Sequence, residues 1–364
     1  MLRRSVRRAL LAPFRKWEFQ SYASSGFPSD GTLSPHEKKR TKTAPQYACL
    51  EESRGVLRLA GRDIFSYLQG LLSNDVWLID TEDPKPLYAA KLNPKGRVQY
   101  DVILHPSNRK AGDELSVFME VGKECMAELQ KMLVWYRLRA VVDVQDVSDD
   151  FKVWALFGEN FGNPEGLPID PRLPSLGARF IRPSTWNPGV QQKSDLEWSS
   201  LYVTNENEMK EGTPSDYKYW RVRHGVGEGP IEIPSGGALP LEHNMDVLNG
   251  VSFTKGCYVG QELTARTHFQ GRIRKRLMPA KILSGLTGVG EAVILEPGGK
   301  SIGEVRAVER NYALVFLRLE PTVQAISGGA GHLLTDSSLS EIEPQVPGWW
   351  PPKWITDEAS LEQN

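Results

Sequence analysis

Lys255-Gly256-Cys257-Tyr258-Val259-Gly260-Gln261-Glu262 gathers an amine, a thiol, a phenol, an amide and a carboxylate into eight residues punctuated by two glycines. A core segment has no use for such a mixture, because each polar group buried without a partner costs roughly 1–3 kcal/mol. Gly256 and Gly260 permit a positive φ or the close approach of a ligand to the backbone. Thr254 is placed to cap a helix running through Glu262 to Arg266. Cys257 would then lie in the first turn, where the helix dipole and the Lys255 ammonium both favour thiolate. The competing reading is a glycine-rich turn whose cysteine is a small buried hydrophobe, and one cysteine by itself leaves the two open.

Downstream, Arg266, Arg272, Arg274, Lys275 and Arg276 form a basic cluster around His268-Phe269-Gln270-Gly271. The chain then offers short apolar runs at Leu277 to Leu283, Ala292 to Leu295, Gly303 to Ala307 and Tyr312 to Leu319, with Gly-rich turns between them, which predict a small β-barrel. Trp349-Trp350-Pro351-Pro352 is an aromatic patch on a Pro-rich tail, either docked on the barrel or exposed for a partner. Upstream, Gly55 to Gly61 alternates as a strand, and Asp63 is placed to cap a helix over Ile64 to Leu72. Tyr88 to Leu92 and Val98 to Leu104 flank the turn Asn93-Pro94-Lys95-Gly96 as a hairpin. A strand at Leu115 to Val121, an amphipathic helix at Glu124 to Val134 and a strand at Tyr136 to Val144 follow. Asp150 to Phe157 and Ala178 to Arg182 read as strands and Ser215 to Arg223 as a helix. Strands, hairpins and helices mixed in this way predict an α+β fold rather than a doubly wound sheet.

The 364 residues carry a formal net charge of −1, which exerts no global pull toward nucleic acid or membrane. Cys49, Cys125 and Cys257 are dispersed, without CxxC or Cys/His ligand spacing, so a metal site of the chain's own and a disulfide framework are both excluded as expectations. No apolar run approaches the roughly 20 residues of a membrane span. His224, His243 and His268 lie near turns, where hydrogen bonding is the commoner role for a lone histidine than metal ligation. Gly225 to Gly229 reads GxGxG with no strand before it, which rejects a dinucleotide site. Arg3, Arg4, Arg7, Arg8 and Arg15 precede any acid, and a Ser-rich stretch follows, in the style of a transit peptide; a matrix address is preferred to a basic disordered arm, and composition alone does not separate it from plastid import.

The stretch 255–262 resembles the K-G-C-[FY]-x-G-Q-E signature of the YgfZ-type folate-binding family, relatives of the glycine-cleavage aminomethyltransferase. The longer run Val251 to Thr267 resembles that family's mitochondrial branch, the iron–sulfur cluster assembly factors. Phe65-x-x-Leu68-Gln69-Gly70-Leu71-Leu72-Ser73-Asn74-Asp75-Val76, the turn Asn93 to Val98, and Pro240-Leu241-Glu242-His243-Asn244 resemble three further family segments. The likeness covers about residues 47–320. It implies a three-module aminomethyltransferase-like cloverleaf around a central folate channel, with a C-terminal β-barrel. The expected divisions are an address and linker at 1–45, α+β modules at 46–150 and 151–250, the signature segment at 251–276, the barrel at 277–335 and a tail at 336–364.

The function this resemblance implies is late maturation of [4Fe–4S] proteins in the mitochondrial matrix, alongside A-type scaffold proteins and the client enzymes. Cys257 would react with, or lend one ligand to, a transient cluster held by the partner, since one cysteine supports a shared cluster but not four-fold ligation. Lys255 would stabilise the thiolate. Gly256, Tyr258, Gly260, Gln261, Glu262 and Arg266 would shape the loop or position tetrahydrofolate, with Asn74, Asp101, Arg223 and Glu242 as further folate contacts. Asn74, Asp75 and Asp101 also suit capping and turn chemistry. The rival is a true aminomethyltransferase with an Asp as base. Its relatives carry two adjacent acids where Tyr100-Asp101 retains one, and such chemistry needs no thiol-bearing signature. An RNA-modification accessory would rest on the 266–276 cluster alone, and a net charge near zero argues against it.

Overall fold

Alternating aliphatic residues build the first sheet from five antiparallel strands. They are β2 (Arg54–Ala60), β3 (Leu87–Leu92), β4 (Val98–Pro106), β5 (Ser116–Gly122) and β6 (Asp143–Asp146), in the order β3-β4-β5-β2-β6. The structure, a computed structural model, describes residues 44–107, 114–159, 161, 167–188, 209–328 and 332–354. The expected address and linker lie outside these residues apart from Ala44 and Pro45, as does the tail beyond Trp354. Helices α1 (Ile64–Leu71) and α2 (Met126–Tyr136) cover one face of the sheet, where Ile64, Phe65, Leu68, Leu129 and Leu133 join Leu57 and Leu59 in one apolar core. Tyr88, Ala90 and Leu92 turn to the opposite face and pack against Met245, Leu248, Val251 and Tyr258. The signature segment is therefore part of this sheet's second core.

Two local expectations change. The Asp63 side chain does not cap α1; its Oδ2 accepts a 2.8 Å hydrogen bond from Val141 N and ties the helix start to a neighbouring loop. The strand expected from Tyr136 begins only at Asp143, because α2 continues through Tyr136 and Leu138 adopts a left-handed φ of 49°. A β-branched run looks strand-like, but the packing of Leu129 and Leu133 keeps the helix going.

The second sheet runs β8-β7-β1-β9, from β1 (Gln46–Cys49), β7 (Phe151–Phe157), β8 (Ala178–Pro183) and β9 (Lys210–Glu211). Strand β1 precedes the first sheet in sequence yet pairs with β7 and β9, so the second sheet draws on residues from both sides of the expected 150/151 division. Helix α3 (Pro214–Arg223) opens on a reciprocal cap: Thr213 Oγ1 accepts from Asp216 N while Asp216 Oδ2 accepts from Thr213 N. A short helix, α4 (Gly229–Glu232), follows.

The third sheet is a closed barrel, β10-β13-β12-β11-β14-β15. Its strands are β10 (Lys275–Ile282), β11 (Ala292–Glu296), β12 (Lys300–Glu309), β13 (Tyr312–Arg318), β14 (His332–Thr335) and β15 (Glu341–Pro344). Closure depends on β15, which pairs Glu343 with Lys281 and comes from the region expected to be tail. Trp350 sits in the barrel core, Trp354 lies under the Arg276 guanidinium at 3.5 Å, and Trp349 Nε1 donates to His224 O at 2.9 Å. Of the two expectations for the aromatic patch, docking is the one observed.

His243 stacks on Phe316 of β13, 5.1 Å between ring centres. Its Nδ1 donates to Leu239 O at 3.0 Å, while Nε2 is buried without a partner. Burial pulls its pKa from 6.5 down to about 4. As pH falls, the unfolded chain therefore takes up this proton first. The stability tied to the neutral ring is complete above pH 6.5 and is lost as pH falls toward 4. Urea unfolding should show a loss of about 3 kcal/mol across that window, and His243→Phe should remove this part of the slope. An unchanged slope in the variant would refute the assignment.

Candidate functional site

Three motifs far apart in sequence meet at the signature loop, with contacts that span as many as 189 residues, from Gly70 to Val259. Ser73 Oγ donates to Gly250 O at 2.6 Å, Ser252 N donates to Ser73 O at 3.0 Å, and Asn74 Nδ2 donates to Asn249 O at 2.6 Å. Lys255 Nζ then reaches three carbonyl oxygens of the Gln69–Asn74 stretch: Gln69 and Leu72 at 2.8 Å and Asn74 at 2.7 Å. Val259 N donates to Gly70 O at 3.1 Å. Gly260, with φ 82°, rests on the Asn93–Gly96 turn so closely that a Cβ there would lie 2.8 Å from Leu92 Cβ. This position needs glycine on both counts.

The loop's pattern of burial follows from these anchors. Lys255 and Tyr258 are buried, with the ammonium 5.1 Å from the Tyr258 ring centre, while Gly256 and Cys257 between them are exposed. Burial lowers the Lys255 pKa to about 8, opposed by the nearby Asp75 carboxylate, and raises that of Tyr258 to about 12. An ammonium has three donors, and all three are engaged by carbonyls. Lys255 is thus the tether of the loop, with its three N–H groups spent on carbonyls rather than on the Cys257 sulfur. The helix also starts later than expected: α5 (Gln261–Gln270) has Gly260 as its N-cap, so Cys257 precedes it and lies outside the first turn, where a helix dipole acts. Gln261 is half-buried at the start of α5, and Glu262 and Arg266 form an exposed i,i+4 pair at 2.6 Å, of the kind worth little in water.

The other two thiols differ. Cys49 in β1 is half-buried and its pKa is raised by burial, and burial pushes Cys125, at the start of α2, up to about 11. The segments that hold the Cys257 loop carry exposed aromatics: Trp77, just beyond Asn74, is 48% exposed and Phe269 on α5 is 68% exposed. Phe253 stacks on His268 at 3.6 Å, bracing the loop against α5. Gly256 has an ordinary φ and open space where a Cβ would stand, so the fold does not require glycine there. What it leaves is clearance beside the thiol.

The four residues expected to contact folate do not converge. Asn74 uses its amide on Tyr88 O and Asn249 O, and Arg223 pairs with Glu159 near the surface at 3.1 Å. Glu242 is half-buried and its pKa is raised by burial against the pull of Lys275, Arg97 and Arg276. Asp101 alone reaches the centre, where it accepts Gly229 N at 3.1 Å. There Arg54, Arg172, Arg179 and Arg221 interlock with Glu120, Asp170, Glu228 and Glu232, sealed from solvent or nearly so. The arginines hold the Glu120 carboxyl well below its usual range, against the burial that would raise it, and Glu228 is lowered in the same way. Sequence reasoning missed this cluster; its trace is a charge inside an otherwise apolar strand, Glu120 in Val117-Phe118-Met119-Glu120-Val121 and Arg179 in β8.

The fit of a folate can be judged at this centre. Asp101 Oδ2, both Arg54 Nη atoms, Arg179 Nη1 and Arg221 Nε are buried with no hydrogen-bond partner. Buried polar groups normally find partners, so these call for an explanation. A pterin ring carries both N–H donors and a carbonyl acceptor, and this leftover set of one carboxylate oxygen and several guanidinium N–H groups matches it in kind. Asp101, Arg54 and Arg179 supply that set, whereas the Asn74 amide and the Arg223 guanidinium are engaged elsewhere, with Tyr88 O and Asn249 O and with Glu159.

Residues 274–352 match the family model described as the CAF17 C-terminal beta-barrel domain. Over 310 residues the chain is 34% identical to the mouse mitochondrial iron–sulfur cluster assembly factor IBA57, covering 82% of this chain and 84% of the mouse protein. It is 34% identical to the human IBA57 over 84% of this chain and 86% of that one, and 31% identical to the Mycosarcoma maydis homologue over 82% and 83%. Among solved structures it resembles the glycine cleavage system aminomethyltransferase T from Bartonella henselae, with a TM-score of 0.59 at 13% identity over 84% of this chain and 87% of that one. That identity speaks for the fold alone, which is aminomethyltransferase-like. The identity to the assembly factors, sustained across more than four-fifths of both chains, is what places the sequence: the chain belongs to the family of mitochondrial iron–sulfur cluster assembly factors named IBA57.

Proposed function

We propose that this chain serves the late maturation of iron–sulfur proteins in the mitochondrion, presenting Cys257 as one thiolate ligand to a cluster carried by a partner. The observation that supports this most directly is the exposed thiol at the tip of a loop whose flanks are locked by Lys255 and Gly260. An exposed sulfur on a rigid base, with clearance at Gly256 and exposed Trp77 and Phe269 on the segments that hold it, is arranged to meet a protein surface rather than to fill a core. Among the described residues no group of three or more His, Cys, Asp or Glu side chains is placed to hold a metal, so the remaining ligands come from the partner. Binding requires Cys257 to release its proton to solvent as the metal–sulfur bond forms. The partner in this reading is an A-type scaffold protein in the matrix, and the beneficiaries are [4Fe–4S] enzymes.

Anaerobic mixing tests the reading. Reconstitution of this protein alone should leave no stoichiometric cluster. Mixing it with a cluster-loaded A-type scaffold should give a new thiolate-to-iron absorption band that Cys257→Ser abolishes. A stable [4Fe–4S] centre on the isolated chain, or the same band with the serine variant, would overturn it.

Reduced folate is the second part of the proposal, bound against Asp101, Arg54 and Arg179. Its support is the set of unpaired buried atoms there together with the aminomethyltransferase-like fold. Folate when bound supplies one-carbon carrier chemistry; Asp101 would orient the ring by accepting its N–H groups, and the arginines would donate to its carbonyl. Calorimetry should show tetrahydrofolate binding weakened about tenfold or more by Asp101→Asn and unaffected by Cys257→Ala. Equal affinity in Asp101→Asn would remove the site from this centre. For aminomethyl transfer, Asp101 would have to act as a base. It already accepts Gly229 N–H and faces Arg54 at 3.7 Å, and orienting the ring would occupy its remaining oxygen, so it is poorly placed to take a proton from substrate.

A further inference from the structure

On the outer face of the barrel, β10, β12 and β13 leave a cavity of about 200 Å³ that lies apart from the Cys257 loop and from the buried arginine cluster in the residues it uses. Lys275 and Arg318 stand directly opposite each other across the β10–β13 pair. Like charges in that relation cost stability. Among the described residues neither has a carboxylate within ion-pair distance. Phe316, two residues from Arg318 and so on the same face of β13, forms the wall, with Lys275 Nζ 5.5 Å and Arg306 Cζ 5.6 Å from its ring centre.

Arg306 is aimed by the backbone. It sits at the irregularity between Val305 and Ala307 where the β12–β13 register shifts, and a bulge of this kind redirects a side chain. Its Nη1 pairs with Glu304 at 3.1 Å, while its Nε is buried with no acceptor. Three cations against one acid give the lining itself a formal charge of +2, with Glu242 outside it feeling the pull of Lys275. The Ser301 hydroxyl on the same lining donates to Gly303 O at 3.5 Å, a bond long enough to be exchanged for one to an anion. Nothing in barrel packing accounts for a like-charged cross-strand pair beside an orphaned guanidinium N–H; an oxyanion accounts for both.

We propose that this cavity binds a phosphate dianion, either free or as the monoester of a small molecule. Phosphate carries about −1.5 to −2 charges at neutral pH, which matches the excess, and its oxygens accept from guanidinium and ammonium together. At about 200 Å³ the cavity has room for a phosphate group and for the first atoms of a monoester, and the exposed Arg318 lies on its lining.

Calorimetric titration at constant ionic strength provides the test, with inorganic phosphate and glycerol 3-phosphate as probes and acetate as the monoanionic control. Phosphate should bind saturably, and it should raise the thermal midpoint of the wild type. Arg318→Ala, at an exposed position that leaves the fold intact, should weaken phosphate about tenfold, and Arg306→Lys should weaken it because the guanidinium fork is lost while the charge is kept. Tighter binding of glycerol 3-phosphate than of phosphate assigns the site to a monoester; equal binding assigns it to the free ion. No saturable binding up to about 10 mM phosphate, affinity unchanged in both variants, or acetate binding as well as phosphate would each overturn the proposal.

Discussion

Cells that depend on this protein should lose [4Fe–4S] enzyme activity when Cys257 is replaced by serine, although the variant accumulates as a folded protein. The residue is exposed, so Cys257→Ser should stay within about 0.5 kcal/mol of wild-type stability, as surface substitutions do. What disappears is the soft ligand, since a serine hydroxyl is a poor ligand for iron held in a cluster. Cys49→Ser and Cys125→Ser should restore the enzymes wherever the protein folds. Lys255→Met separates loop architecture from thiol chemistry: it abandons the carbonyls of Gln69, Leu72 and Asn74 and should destabilise the protein by about 2–3 kcal/mol while leaving the thiol in place. Client enzyme assays alongside thermal unfolding distinguish the two. Full rescue by Cys257→Ser would end the ligand mechanism and leave the signature as an anchored turn.

Glu120→Gln should be the most damaging single change to the fold outside the apolar cores. Glu120 accepts from Arg54 Nε at 2.7 Å and from Arg179 Nη2, and His105 Nε2 lies 3.0 Å from its other oxygen. Removing its charge leaves two buried guanidinium groups short of a counterion, which costs about 3–5 kcal/mol. That is a large fraction of the roughly 5–15 kcal/mol that holds a domain folded. The same residue sets an acid limit. Its folded pKa is depressed below the ordinary 4.5, so the stability it contributes is present above that value and is lost as pH falls below it toward the folded pKa. Chemical unfolding at neutral pH should show the full loss in Glu120→Gln, and below pH 4.5 the gap between variant and wild type should narrow. A neutral effect at pH 7 would mean that solvent reaches the cluster.

Much of this protein was legible in one dimension because the relevant physics is local. Period-two alternation marks the strands of the first sheet and the barrel, and the helix read at Ser215 to Arg223 forms at Pro214–Arg223. The signature's two glycines and its mixture of side chains single out this loop in the sequence, and Cys257 is exposed within it. Other features rested on contacts across the fold. Lys255 and Cys257 are two residues apart, yet tertiary structure points one inward to carbonyls at 69–74 and the other outward, so the expected ion-to-thiol pairing gives way to a tether. The strand β1 joins the second sheet rather than the first, and β15 closes the barrel from beyond the expected boundary, because strand pairing is decided by which edges are open. The buried cluster was hidden for a related reason. Arg54, Glu120, Arg179 and Glu228 each look like a surface charge in isolation, and only folding brings together residues up to 174 positions apart so that each desolvated charge has a partner.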